Sequence, residues 1–264
     1  MSQAPSTSAA AGPIVVDRPA PRIVRIALNR PERRNALDPE LRERFHDAIA
    51  EALADASVRA LVITGQGGSF SAGGDLSTLS GIDAKAARAR LHAGHALVRR
   101  LIHAEKPIVA AVEGYAMGAG AGVALCADTI VVGKGATIGF PFLKVGLMSD
   151  YGVAYSLACR IGIARARDAL LYARNFRGEE AVAIGLADVL VEDSEVQSTA
   201  LERATALAEM PPSALGLMKR QFALLPAGLD AALELEALGQ PGCLVGEEFR
   251  EGVAAFREKR RPKF

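Results

Sequence analysis

Apolar residues recur along this chain in two rhythms. Short, almost uninterrupted runs at residues 23–28, 60–64, 108–112, 129–132, 136–138 and 187–191 predict strands. Between them lie stretches with helical spacing. Asp38 reads as an N-cap with Pro39 at the first helical position, and Leu41, Phe45, Ile49 and Leu53 then follow four residues apart. A longer helix is expected over 84–103, with Leu91, His95, Val98 and Ile102 on one side, and a short one over 120–126. Beyond about residue 152 the pattern becomes mainly helical: 155–161, 164–173, 179–184, 196–210, 213–225, 229–238 and 247–259. Repeated strand–strand–helix units followed by a helical block predict an α/β core with a helical C-terminal region.

Composition adds mainly exclusions. The chain has 264 residues, 50% apolar and 23% charged, with a net charge of +1, which is an ordinary composition for a soluble globular protein. No basic excess points to nucleic acid or a membrane surface. No apolar run is long enough to cross a bilayer. Cys126, Cys159 and Cys243 are odd in number and lack metal-ligand spacing, so a reduced, cytoplasmic setting is expected. The four histidines form no zinc-type motif, and no metal is expected. Residues 1–12, rich in Ser, Ala, Gly and Pro, are expected to be a disordered leader.

Two loops of small residues carry the chemistry. Phe70-Ser71-Ala72-Gly73-Gly74-Asp75-Leu76 follows the run 61–64, and Gly114-Tyr115-Ala116-Met117-Gly118-Ala119-Gly120-Ala121-Gly122 follows the run 108–112. Gly and Ala let backbone N–H groups approach a single ligand atom, as stabilising a thioester oxyanion requires. These loops resemble the F-x-A-G-x-D-[LI] and G-Y-A-x-G-x-G motifs of the enoyl-CoA hydratase/isomerase (crotonase) family. The resemblance extends to Asn29-Arg30-Pro31, Asn35-Ala36-Leu37, Lys144-Val145-Gly146 and the tail from Glu251 to Arg260. It implies a spiral of ββα units over 13–200 and a helical region over 201–264 that packs into a homotrimer or a dimer of trimers. Matched onto its motifs, the oxyanion donors are the backbone N–H groups of Gly74 and Ala119, worth roughly 3–4 kcal/mol each by analogy with measured oxyanion holes.

The resemblance also frames what is missing. Family hydratases use two glutamates; the matching positions here are Gly122 and Phe142, neither able to move a proton. The run Val145-Gly146-Leu147-Met148-Ser149-Asp150-Tyr151-Gly152 resembles instead the V-G-L-x-x-D-x-G of dienoyl-CoA and ring-epoxide isomerases, and Asp150 also matches the nucleophile of a chlorobenzoyl-CoA dehalogenase. Asp150 is therefore the candidate acid/base, with an ordinary helix N-cap as its alternative role. For the coenzyme, the resemblance implies contacts from Ala72, Gly73, Gly74, Asp75 and Leu76, from the loop of Arg30, Arg33 and Arg34, and from Phe256 and Lys259, the latter toward the 3′-phosphate. A solvated basic tail is the alternative for residues 257–263. Asp75 and Asp128 are expected to cap backbone groups, and Leu79, Leu91, Val98, Phe140 and Phe142 to form an apolar acyl pocket. The expected activity is isomerisation of an acyl-CoA through a thioester enolate, with no cofactor beyond the coenzyme A of the substrate. Hydration, hydrolysis or dehalogenation, and an inactive acyl-CoA-binding or RNA-associated protein, are the alternatives.

Overall fold

The computed structural model describes residues 12–79, 81–224 and 229–264, so most of the expected leader lies outside the described residues. Two sheets organise the chain. The larger has the order β1 (Ile14–Ala20), β2 (Ile23–Leu28), β3 (Ala60–Gly65), β4 (Ile108–Val112), β6 (Thr129–Gly133), β9 (Val189–Val191). Only β1 and β2 are antiparallel; the remaining neighbours are parallel. The smaller sheet joins β5 (Tyr115–Met117), β7 (Thr137–Gly139) and β8 (Asn175–Arg177). A long strand of the first sheet, a short strand of the second and a helix recur as β4–β5–α3 (Ala119–Leu125) and β6–β7–α4 (Val153–Ile161), the anticipated ββα unit.

Apolar side chains on both faces of the larger sheet explain its uninterrupted sequence runs. On one face α1 (Pro39–Ala54) lays Leu41, Phe45 and Ile49, all fully buried, against Ile26, Leu28, Leu61 and Ile63. Asp38 caps this helix as expected, accepting from the Leu41 N–H at 2.8 Å. On the other face α7 (Val196–Ala208) packs Val196, Ala200 and Ala204 against Val62, Val109 and Val131.

Four expectations need correction. β1 was not anticipated; Pro19 and Asp17 interrupt its apolar pattern, and it is held by pairing with β2 from Ile14↔Leu28 onward. The three-residue strands β5 and β8 were likewise not anticipated, because so short a run carries no periodicity. The helix α2 (Ala84–Ile102) buries Gly94, Leu97, Val98 and Leu101, so its inward face is turned from the expected one, and Leu91 is exposed. Finally, α9 (Leu229–Val245) runs well past residue 238 with Pro241 inside it. The last elements are α5 (Ile163–Leu171), α6 (Gly178–Ala183), α8 (Pro212–Leu224) and α10 (Glu247–Glu258).

Candidate active site

The two small-residue loops meet at the edge of the smaller sheet. Ser71 pairs with Ala116 and Gly74 with Leu37 in isolated parallel bridges, which extend the β5–β7–β8 ladder by two further rows. The Met117 N–H donates to the Ser71 carbonyl at 2.9 Å, the Leu37 N–H to the Gly73 carbonyl at 2.7 Å, and the Ala72 N–H to the Arg34 carbonyl at 2.8 Å. Gly73 has φ +93°, and a Cβ there would stand 2.5 Å from the Met117 carbonyl oxygen and 3.5 Å from the Ala119 nitrogen. Only glycine permits this approach. It sets Gly74 alongside Ala119, the first residue of the fully buried α3, where the positive end of the helix dipole lies. Among the described residues, neither the Gly74 nor the Ala119 N–H donates a hydrogen bond.

Asn35 explains the Asn-Ala-Leu motif. It is fully buried, and its side chain accepts from the Arg30 N–H at 2.8 Å and donates to the Ser69 and Gln66 carbonyls at 2.6 and 2.9 Å. Ser71, also buried, donates through its hydroxyl to the Asn35 carbonyl at 2.8 Å. These bonds satisfy backbone groups that a loop buried this deeply would otherwise leave orphaned.

Asp150 lies in the loop before α4, but it does not cap that helix. Gly152, at φ +67°, is the N-cap residue, and there is no side-chain cap. The Asp150 Oδ1 atom is buried without a hydrogen-bond partner. Burial holds the carboxyl above the usual carboxylate range, partly offset by Arg90, by a backbone hydrogen bond and by the nearby Arg42 and His95. The two positions that carry glutamates in family hydratases are filled differently. A Cβ on Gly122 would stand 2.7 Å from the Tyr151 Cβ and 3.0 Å from a Val153 methyl, while the Phe142 ring lies 3.7 Å from where a Gly118 Cβ would be. The aromatic ring of Tyr151 packs against Gly94 of α2, and its backbone sits at φ +50°, rare for a bulky residue.

Sequence reasoning missed three residues here: Arg42, Arg90 and Tyr151. A Cβ on Gly74 would come within 2.7 Å of an Arg90 Nη atom, so this guanidinium borders the candidate oxyanion donor. Burial, with Arg42 nearby, pulls its pKa below the ordinary arginine value. Arg90 and Gly94 are four residues apart on α2, hence on one face, but nothing local in the sequence says that Tyr151 comes to rest there.

The coenzyme candidates divide into two groups. Arg33 reaches Asp75 at 3.2 Å, and Asp75 is also bonded by the Ser77 hydroxyl and N–H. Those bonds, the Ser77 hydroxyl foremost, lower its pKa and give it the capping role expected. Arg30 is tied to Glu40 at 2.6 Å, and Arg34 lies over the Tyr115 ring at 5.2 Å. Leu76 is exposed, while the Ala72 donor is already engaged. Phe256 and Lys259, by contrast, lie on and just after α10, which packs against α9 rather than on the two loops. Phe256 is 85% exposed. In the basic tail Arg260 is ion-paired to Glu251 and Glu258. Asp128 is structural as expected, accepting from the Ile108 N–H at 2.7 Å and pairing with the buried Lys219 at 2.5 Å. Phe140 does not line a pocket. It is fully buried and packs edge-on against Phe176 at 6.3 Å. Among the described residues no helix is long and apolar enough to cross a membrane, and no cluster of His, Cys, Asp or Glu could hold a metal ion.

Known proteins resemble this chain in sequence and in fold. The chain is 35% identical over 243 residues to a putative enoyl-CoA hydratase of Thermus thermophilus, covering 90% of this chain and 96% of the relative. It is 34% identical over 249 residues to the 1,2-epoxyphenylacetyl-CoA isomerase of Escherichia coli, covering 92% and 94%. The crystal structure of an enoyl-CoA hydratase from Bacillus anthracis superposes with a TM-score of 0.91 at 27% identity, covering 96% of this chain and 98% of that one. With residues 20–264 matching the family itself, the chain belongs to the enoyl-CoA hydratase/isomerase family and has the crotonase fold.

Proposed function

We propose that this chain isomerises an unsaturated acyl-CoA by moving a proton, with Asp150 as the shuttle. The thioester oxygen would accept hydrogen bonds from the Gly74 and Ala119 N–H groups. Asp150 would take a proton from carbon, leaving the negative charge delocalised onto that oxygen, and, once its carboxyl proton has exchanged with solvent, deliver one to another carbon of the same conjugated system. Nothing is added and nothing leaves, so the reaction needs only the substrate and its own coenzyme A. A carboxylate held above its usual pKa is suited to both halves of the transfer near neutral pH. Charge on the oxygen builds only along the reaction, so fixed donors stabilise the transition state more than the ground state.

One observation carries this reading. The site has at Asp150 a half-buried carboxylate whose Oδ1 is buried without a partner and, at the two hydratase positions, a glycine covered by Tyr151 and a phenylalanine. Water addition by the two-glutamate route has no acid or base to use. We further infer assembly into a homotrimer or a dimer of trimers, supported by the exposed apolar side chains Leu238, Val245 and Phe256 on α9 and α10.

Incubation of unsaturated acyl-CoA esters with the protein in deuterated water, followed by mass spectrometry, tests the proposal. Isomerisation gives deuterium incorporation with no gain of water. Efficient hydration of crotonyl-CoA by the unaltered chain would overturn it, and absence of any exchange across the panel would mark a binding protein.

A further inference from the structure

The cluster around Asp150 holds more donors than it can satisfy. Four of its side-chain atoms are buried without a hydrogen-bond partner: Arg42 Nη1, Arg90 Nε, the Tyr151 hydroxyl and Asp150 Oδ1. Guanidinium nitrogens can only donate, while the Tyr151 hydroxyl can donate or accept, so the unpaired donors of this cluster outnumber the one unpaired carboxylate oxygen. Arg42 approaches the Tyr151 hydroxyl in a hydrogen-bonding contact that is poorly aligned, and the charges of Asp150 and Arg90 act on it as well. Arg42 is fixed from behind by its Nε donating to the Asp38 carbonyl at 3.3 Å, which leaves Nη1 directed elsewhere.

Charge shows the same imbalance. Arg18, Arg25, Arg30, Arg33, Arg160, Arg174, Arg220 and Arg260 all lie within 4.0 Å of a carboxylate. Among the described residues, Arg42 and Arg90 have no such partner although both are half-buried; Arg59 and Arg100 share that state, but Arg42 and Arg90 both act on the same carboxylate, Asp150. Two cations therefore share the field of one carboxylate, Asp150, which the reaction itself needs free. Buried donors without acceptors are costly, and buried cations without counter-charge more so. A ligand that brings two acceptor oxygens and one negative charge would meet both deficits. Arginine is the side chain whose fork matches a carboxylate.

Geometry limits where that charge can sit on the substrate. Arg90 borders Gly74, whose N–H is the candidate oxyanion donor, and on the same helix face Gly94 touches the Tyr151 ring. An anionic group reaching Arg90 must lie only a few bonds from the thioester carbonyl. Tyr151 packed on Gly122 and Gly94, together with Phe142, fills space that a longer chain would need.

We propose that the site selects a short acyl-CoA whose acyl group carries a second carboxylate, bound by Arg42 and Arg90 with help from the Tyr151 hydroxyl. The proposal deepens the acyl-CoA reading above and rests on it. The substrate class is thus the CoA half-thioester of a small, unsaturated dicarboxylic acid.

The test is calorimetric titration of the full-length protein with glutaryl-CoA and with pentanoyl-CoA, saturated esters of equal chain length that differ in the terminal carboxylate. Glutaryl-CoA should bind at least about tenfold more tightly at low salt, as expected for a partly buried bidentate pair. Arg90→Gln and Arg42→Gln should each remove most of that preference while changing pentanoyl-CoA affinity by no more than about threefold. Arg90→Lys, which keeps the charge but not the fork, should retain part of it. Equal affinity of the unaltered protein for the two esters overturns the proposal whatever the variants do, and leaves the arginines as counter-charges for Asp150. A preference that survives both glutamine substitutions in folded protein overturns it too, since the carboxylate is then read elsewhere. If neither ester binds, the acyl-CoA reading itself fails and takes this inference with it.

Discussion

Gly122 and Tyr151 form a steric pair, and the pairing can be measured. Gly122 lies in the buried helix α3, where replacing glycine by alanine ordinarily gains about 0.8–1 kcal/mol of helix propensity. Here the added methyl would meet the Tyr151 Cβ at 2.7 Å, a Val153 methyl at 3.0 Å and the Tyr151 carbonyl oxygen at 3.3 Å. Ordinary contact between carbon atoms is about 3.5–4.0 Å, so the backbone at 151–153 would have to retreat by nearly an ångström. None of these atoms is the free end of a flexible side chain. Overpacking of this kind costs about 1–3 kcal/mol and, with contacts this short against rigid atoms, falls in the upper half of that range, so Gly122→Ala should be net destabilising by about 1–2 kcal/mol after the gain in propensity. For a chain of this length that is a fall in Tm of about 2–8 °C.

The control is Tyr151→Gly, which removes the Cβ and suits a backbone at φ +50°. In that background Gly122→Ala should become neutral or stabilising by up to about 1 kcal/mol, giving a coupling of about 2 kcal/mol in a double-mutant cycle. Thermal and urea unfolding of the four proteins read it out. The same loss in both backgrounds, or a gain in the native one, would refute the reasoning. The cycle also bears on catalysis. Gly122→Glu in the native background should gain no crotonyl-CoA hydration, because Tyr151 occupies the room the carboxylate would need.

Three further outcomes are expected. Asp150→Asn should abolish deuterium exchange with CoA-ester affinity nearly intact. It should also raise stability at neutral pH, because burial disfavours the ionised carboxyl despite Arg90, a backbone hydrogen bond, Arg42 and His95. The folded pKa is raised, so that cost is absent below the ordinary Asp value and grows as pH rises through the folded one, and the stability curves of the two proteins should converge in acid. Asn35→Ala should lower stability by about 2–4 kcal/mol in urea unfolding, since it strands the Arg30 N–H and the Gln66 and Ser69 carbonyls. Sedimentation at micromolar concentration should find an assembly of three chains or six, and Phe256→Asp should shift it toward smaller species. A compact monomer of the unaltered chain would refute the threefold arrangement.

What the sequence disclosed follows the range of the interactions involved. Asp38 capping Leu41, the buried face of α1 and the parallel strands 60–65, 108–112 and 129–133 are settled by neighbours within one element, and periodicity finds them. The meeting of the two glycine loops was legible because the requirement is local even though the contact is not. A position such as Gly73, at φ +93° and 2.5 Å from another loop's carbonyl in Cβ terms, tolerates almost nothing but glycine. β1 and β8 were not legible, because each is held by a partner strand rather than by its own pattern. The inward face of α2 was misjudged for a related reason. Leu91 is as apolar as Leu97, and the choice between them is made by distant packing: Leu97, Val98 and Leu101 join the main core, and Tyr151 rests against Gly94.

The candidate site shows the same division at the level of chemistry. That Gly122 and Phe142 cannot transfer protons follows from residue type alone, and it closes one route of water addition. What replaces that machinery is a matter of volume and charge in three dimensions. The absence of a side chain at 122 is also the space that admits the backbone of Tyr151, the neighbour of Asp150, whose carboxyl feels the charges of two arginines. Arg42 and Arg90 sit 48 residues apart on different helices, each unremarkable on its own amphipathic element. Their meaning appears only when both are found beside one carboxylate with no other counter-charge within 4.0 Å among the described residues. If the proposals above hold, the residues at 122 and 142 and the two arginines act together: the first pair closes the two-glutamate route, and the second places positive charge beside the loop that carries Gly74.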